Sequence, residues 1–81
     1  MNDISIGARI RVDPGSDSAS DRTRVKVQEN GSDGFLIEKI SEMHPVLKAP
    51  AILVRSVAMS ADGSAWFGWL PINEIDISKW S

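Results

Sequence analysis

The sequence predicts a small all-β domain, an antiparallel and strongly bent barrel of five to six strands. Three observations lead there. Apolar and polar residues alternate in short runs, and breaks rich in Gly, Pro and Asp separate those runs. No connection is long enough to hold the crossover helix that a parallel pair requires. A sheet built from 81 residues buries one face only by curling over on itself, which also protects its edges.

The elements follow in chain order. Over residues 4–12, Ile4, Ile6, Ala8, Ile10 and Val12 fall on one side, and Ser5, Gly7, Arg9 and Arg11 on the other. Period two marks a half-buried strand, and Asp13-Pro14-Gly15 stops it. Residues 14–22 read as a flexible polar loop, because Ser16 to Asp21 contains nothing apolar larger than alanine. The second strand is expected at 23–28, with Val25 and Val27 inward and Arg24, Lys26 and Gln28 outward.

Asn30-Gly31 and Asp33-Gly34 make 29–34 a hairpin connection. The third strand, near 34–40, has two half-apolar faces; Leu36 and Ile40 are favoured as partly inward, with Phe35 closing one end of the core. Pro45 and Pro50 break the pattern over 41–50 and leave room for one helical turn at Ser41–His44. Residues 51–60 form a strand apolar on both sides, with Leu53, Val57 and Met59 opposite Ile52, Val54 and Ala58. Ala61-Asp62-Gly63-Ser64 is a tight hairpin leading to a strand at 65–70 and a short sixth at 74–78.

The closing Trp66-Phe67-Gly68-Trp69-Leu70-Pro71-Ile72-Asn73-Glu74-Ile75 resembles the SH3-like small barrels, in which an aromatic strand passes through a Gly-x-Leu/Phe-Pro turn into a last short strand. Gly68, Leu70 and Pro71 are the matching residues. Ile6-Gly7-Ala8-Arg9-Ile10-Arg11-Val12 also resembles the opening Gly-x-x-Val-x-Val strand of bacterial and plastid SH3-like domains. The resemblance covers most of the chain and implies a barrel. Eukaryotic peptide-binding SH3 domains carry an early tyrosine motif and an acidic loop facing an aromatic groove. Asp17 and Asp21 are candidates for that loop and Trp66 or Trp69 for that groove, but this chain has no tyrosine. Polyproline recognition is therefore not implied.

Composition limits the chemistry. A chain this short, read as one domain over 1–81, buries only about 60–65% of its unfolded surface around one small core. With no cysteine and one histidine, thiolate zinc sites, iron–sulfur clusters and redox thiols are excluded. The lack of cysteine points to the cytoplasm. An acidic Met1-Asn2-Asp3 start and no apolar stretch near 20 residues argue against a leader or a membrane span. Nine basic and eleven acidic side chains give a net charge of -2, poorly matched to a phosphate backbone.

No residue set reads as catalytic, and no cofactor is expected. His44 has the pKa range for acid–base work, but a hydrolase also needs a nucleophile and an orienting carboxylate, and Ser41 and Glu42 are merely near in sequence. Asp13, Asp17 and Asp21 lack the spacing of a calcium loop. Gly31-Ser32-Asp33-Gly34 lacks the lysine of a phosphate loop and reads as a turn.

What remains is surface. Alternation sets Trp66, Gly68 and Leu70 against Phe67, Trp69 and Pro71, so Trp66 and Trp69 point to opposite faces and one aromatic set is partly exposed. Trp80 either folds back or stands out as an exposed hydrophobe. The function expected is a non-catalytic interaction or accessory module, binding another protein or itself through Trp66, Phe67, Trp69 and Trp80. The alternative is RNA or DNA binding through Arg9, Arg11, Arg24 and Lys26, which pairing of the first two strands clusters. That alternative depends on whether aromatics lie beside the basic set.

Overall fold

The structure, a computed structural model, describes residues 4–80; the reading of Met1–Asp3 lies outside them. Its strands are β1 (Arg9–Pro14), β2 (Phe35–His44), β3 (Ala49–Met59), β4 (Ala65–Pro71) and β5 (Ile75–Lys79). A helix, α1 (Asp21–Asn30), lies between β1 and β2, and a 3-10 turn at Ile72–Glu74 joins β4 to β5. All pairings are antiparallel, in the order β4-β3-β2-β1-β5.

That order corrects the barrel. Among the described residues β4 and β5 are the two edges of an open sheet that is neither closed nor strongly curled. The resemblance to SH3-like barrels is overturned with it. The core does not need closure because α1 does the covering. Val27 joins Ile10, Val12, Phe35, Ile37, Ile52, Val54, Leu70 and Ile75 in one apolar cluster on the inner face of the sheet.

The strand expected at 23–28 is this helix. Val25 and Val27 mimic alternation, but Val25 is 49% exposed, and the buried pair is Thr23 and Val27, one helical turn apart. Ser20 caps the helix: its Oγ accepts from the Thr23 N–H at 3.3 Å, and Asp21 supplies the acidic first turn. The reciprocal half of a capping box comes from a distant residue. Glu74 Oε1 accepts from the Ser20 N–H at 2.9 Å and from the Thr23 hydroxyl at 2.8 Å. The Glu74 carbonyl also accepts from the Gly15 N–H at 2.9 Å. Residues 15–20 are thereby tied at both ends, and Arg24 closes the segment by donating to the carbonyls of Gly15 and Ser16. Pro14 belongs to β1, where it pairs with Ile75.

The inward side of β2 departs from the favoured one at Leu36, which lies opposite Arg55 on the outer face, while Phe35 closes the core as expected and Ile40 lies opposite the buried Ile52 on the inner side. Phe35 and Ile37 are buried, Leu36 is half-buried and Ile40 is 43% exposed. A register shift between Ile37 and Lys39 breaks the alternation, so parity from one end misassigns the other. Ser41–His44 continues β2 instead of forming a helical turn, and residues 45–48 make the reversal. There the His44 Nδ1 accepts from the Val46 and Leu47 N–H groups, both at 3.2 Å. In β3 the buried residues are Ala51, Ile52, Val54 and Ser56, while Met59 is 61% exposed. Ser56 Oγ donates to the Ala58 carbonyl and accepts from the Trp66 N–H, both at 2.9 Å, which satisfies this buried hydroxyl beside a register shift.

The sheet is uneven. β1 pairs with β5 from Ile10↔Lys79 to Pro14↔Ile75, but among the described residues it pairs with β2 only at Arg9↔Leu36 and Ile10↔Phe35. Two bonds from the preceding segment, Gly7 N–H to the Ile37 carbonyl and Ile37 N–H to the Ala8 carbonyl, lengthen that contact slightly.

Two measurements test these ties. Both Ser20 and Thr23 donors hold the Glu74 carboxyl below its ordinary 4.5. Its contribution is therefore fully present above that value and declines as pH falls through the lower folded pKa. Urea unfolding of Glu74→Ala is expected to show a loss of about 1–3 kcal/mol at neutral pH, with a flatter acid limb than wild type. In the β3–β4 hairpin, Ser60 and Ser64 hydroxyls and the Ser64 N–H all donate to Asp62 Oδ1, lowering its pKa from 3.8 to about 2. Carboxyl-carbon NMR is expected to show that midpoint, shifted back toward 3.8 in Ser60→Ala.

Candidate functional site

With α1 on the inner face, the outer face of the sheet lies open. Register places one row of residues across it: Phe67 pairs with Arg55, Arg55 with Leu36, and Leu36 with Arg9. Because Ile10 pairs with Lys79, the next residue, Trp80, stands beside Arg9 and ends the row. A second row begins with Trp69, opposite Leu53, which is opposite Lys39.

The β4 strand supplies the aromatic end. Phe67 is 55% exposed, and Trp69 and Leu53 are half-buried. The His44 imidazole meets the Trp69 ring edge-on, with centroids 4.7 Å apart. Trp66 takes the other side of the strand. Its indole lies directly over Gly68, leaving no room for a Cβ there, and packs edge-on against Phe35 at 6.1 Å. Gly68 is thus glycine because an indole occupies the place of its side chain.

The opposite end is built around Trp80. The Arg9 guanidinium stands 4.4 Å from the Trp80 ring centroid and the Arg11 guanidinium 5.0 Å. Arg9 also donates through Nε and Nη2 to the Asp33 carbonyl, at 3.0 and 2.6 Å. Beneath the ring sits Gly34, at φ 85°; a Cβ there would lie 2.8 Å from both the Ile10 carbonyl oxygen and Trp80. Glycine is required on both counts, conformation and space. Between the two ends, Arg55 Nε pairs with Glu38 Oε2 at 3.1 Å. Both partners are about one-third exposed, so this pair adds at most about 1 kcal/mol.

Five of the sequence-predicted residues come together on this face only as two groups: Phe67 with Trp69, and Trp80 with Arg9 and Arg11. Trp66 lies inside. Arg24 and Lys26 sit on α1, against the opposite face, so the structure does not bring them to Arg9 and Arg11. Arg24 is bound to the 15–16 carbonyls, and Lys26 Nζ reaches the Trp69 carbonyl at 3.4 Å. Sequence reasoning missed Leu36, Arg55 and His44 as members of the face. Arg55 carried a signal, since it interrupts an otherwise apolar strand.

Two open clefts flank the helix. One, about 390 Å³, runs between Glu29 and Asn30 and the strand residues Ser56, Met59 and Trp66. The other, about 400 Å³, is bordered by Ser20, Thr23, Lys26 and Glu74, whose polar groups include those already joined at the helix cap. Among the described residues no group of three or more His, Asp or Glu side chains is arranged to hold a metal ion, and no helix is long and apolar enough to cross a membrane.

Trp80→Ala removes the ring that Arg9 and Arg11 share and the packing over Gly34. Thermal and urea unfolding are expected to show a loss of about 1–3 kcal/mol, with amide exchange rising first in β5 and around Arg9. Comparison of the chain with protein-family models, with curated proteins and with solved structures found no match.

Proposed function

We propose that the chain is a non-catalytic interaction module that binds another protein through the outer face of its sheet, with Phe67 and Trp69 as anchors. The observation that carries this reading is the exposure of Phe67 at the head of the row Phe67–Arg55–Leu36–Arg9–Trp80. Aromatic and arginine side chains dominate the energetics of protein interfaces: the aromatics present a large contact area with few rotors, and arginine presents a planar guanidinium with several donors. Here they are interleaved with Leu36 and Leu53 on rigid strands, which lowers the ordering cost of binding.

Charge favours a protein partner over nucleic acid. Arg55 is neutralised by Glu38, the guanidiniums of Arg9 and Arg11 are drawn onto Trp80, and the chain carries a net -2. Backbone phosphates reward a continuous strip of cations. This face offers its cations in three separated places, Arg55, Lys39, and Arg9 with Arg11.

The test compares proteins retained by the immobilised wild-type chain with those retained by Phe67→Ser and by the Phe67→Ser/Trp69→Ser pair, each verified as folded by circular dichroism. At least one protein is expected to be retained by wild type and reduced about tenfold or more in the pair, as for loss of two anchors. An identical retained set for all three chains removes the aromatic face from the proposal. A tryptophan-fluorescence titration with a mixed-sequence single-stranded oligonucleotide supplies the contrary arm: saturable, salt-sensitive quenching lost in the same variants replaces the protein reading with a nucleic-acid one.

A further inference from the structure

The outer flank of β4 differs from that of β5. Edge strands expose a row of backbone donors and acceptors, and proteins usually blunt them with charge. β5 carries Asp76 and Lys79, whereas Ala65–Pro71 carries no charged residue. Alternate residues of a strand direct their N–H and C=O to opposite flanks. The Trp66 N–H donates to Ser56 of β3, and the Trp69 carbonyl is reached by Lys26 of α1. Phe67 and Trp69 therefore direct their backbone groups outward, away from β3. Their only polar neighbour among the described residues is Lys26 Nζ, at a long 3.4 Å.

The sequence of this edge is symmetric in kind, not in identity, about its glycine: Trp66-Phe67-Gly68-Trp69-Leu70 sets an aromatic residue on each side of Gly68 and a bulky apolar residue beyond each. We infer that the β4 edge pairs antiparallel with the β4 edge of a second copy of this chain, about a two-fold axis at Gly68. In that register Phe67 of each copy lies opposite Trp69 of the other, and these two residues exchange both backbone hydrogen bonds. Trp66 lies opposite Leu70. Gly68 meets its own counterpart at the closer spacing of an antiparallel ladder, about 4.5 Å between Cα atoms. Each Gly68 carries the Trp66 indole of its own chain in the place of a Cβ, so the two indoles flank the axis on the inner face. Aromatic residues directly opposite one another stabilise strand pairs, the strand itself sets no charged residue across the axis, and each Trp69 carbonyl exchanges its long Lys26 contact for the Phe67 N–H of the other copy. A strand meeting its own copy sets aromatic against aromatic and bulky apolar against bulky apolar, a symmetry of kind that an unrelated peptide would not require. Such an isologous contact closes at two copies.

This inference goes beyond the proposed binding face, and either can fail alone. Sedimentation equilibrium of the full chain is expected to show a monomer–dimer equilibrium below about 1 mM. Phe67→Pro removes an outward N–H that makes no bond within the chain, so it is tolerated at an edge; it is expected to weaken the dimer about tenfold or more, whereas Phe67→Thr, which keeps the donor, weakens it less. Because the chain has no cysteine, Phe67→Cys and Trp69→Cys chains report register directly. On oxidation, the mixed pair is expected to cross-link in preference to either variant with itself. A monomer at all concentrations, an unweakened Phe67→Pro dimer, or cross-linking without preference for the mixed pair overturns the inference. If Phe67→Pro does not fold, sedimentation of wild type and the cross-linking decide. A monomeric wild type that still loses its protein partner in Phe67→Ser leaves the binding face standing.

Discussion

The Glu74 carboxylate fixes how the two halves of this molecule meet. Helix starts leave N–H groups without partners, and here one glutamate from the far end of the chain supplies the acceptor that Ser20 and Thr23 require. Its own carbonyl takes the Gly15 N–H, so a single residue anchors both ends of the segment leading into α1. The helix is short and has a weakly apolar character, with Thr23 and Val27 as its buried residues. It has little intrinsic reason to persist in isolation. Its position over Ile10, Phe35 and Leu70 rests on that cap and on Val27, and the same position decides which face of the sheet is left in water.

The strands were largely legible because alternation is a local signal. Near 4–12, 51–60, 65–70 and 74–78 the expected runs overlap β1, β3, β4 and β5. Alternation failed where two explanations shared one pattern. Val25 and Val27 look like one face of a strand, but Ser20 and Asp21 ahead of them are the start signal of a helix, and Thr23 to Val27 is its buried spacing. In β2 the register shift after Ile37 separated the parity of Phe35 from that of Ile40. Closure was the least legible property. Whether a sheet curls depends on what else covers its inner face, and that depended on reading 21–30 correctly.

The candidate site shows the same division. Trp66 and Trp69 were separable by parity, but only the packing of the indole over Gly68 tells which of them faces the core. Arg24 and Lys26 left the basic set as soon as their segment became helical. Trp80 was undecidable in sequence, since nothing local specifies a fold-back. Its place is set by Gly34, far earlier in the chain, and by two arginines, Arg9 and Arg11, on the neighbouring strand.

The narrow contact between β1 and β2 gives the open sheet a mechanical character. It divides the sheet into a broad β2–β3–β4 meander and a two-stranded β1–β5 ribbon, joined among the described residues by backbone pairing only around residues 7–10. Such a seam is where a sheet twists most easily. The row from Phe67 to Trp80 crosses it at the Leu36–Arg9 pair, so a partner lying along the whole row would splint the two plates and stiffen the joint, while one confined to Phe67 and Trp69 would leave them free to flex.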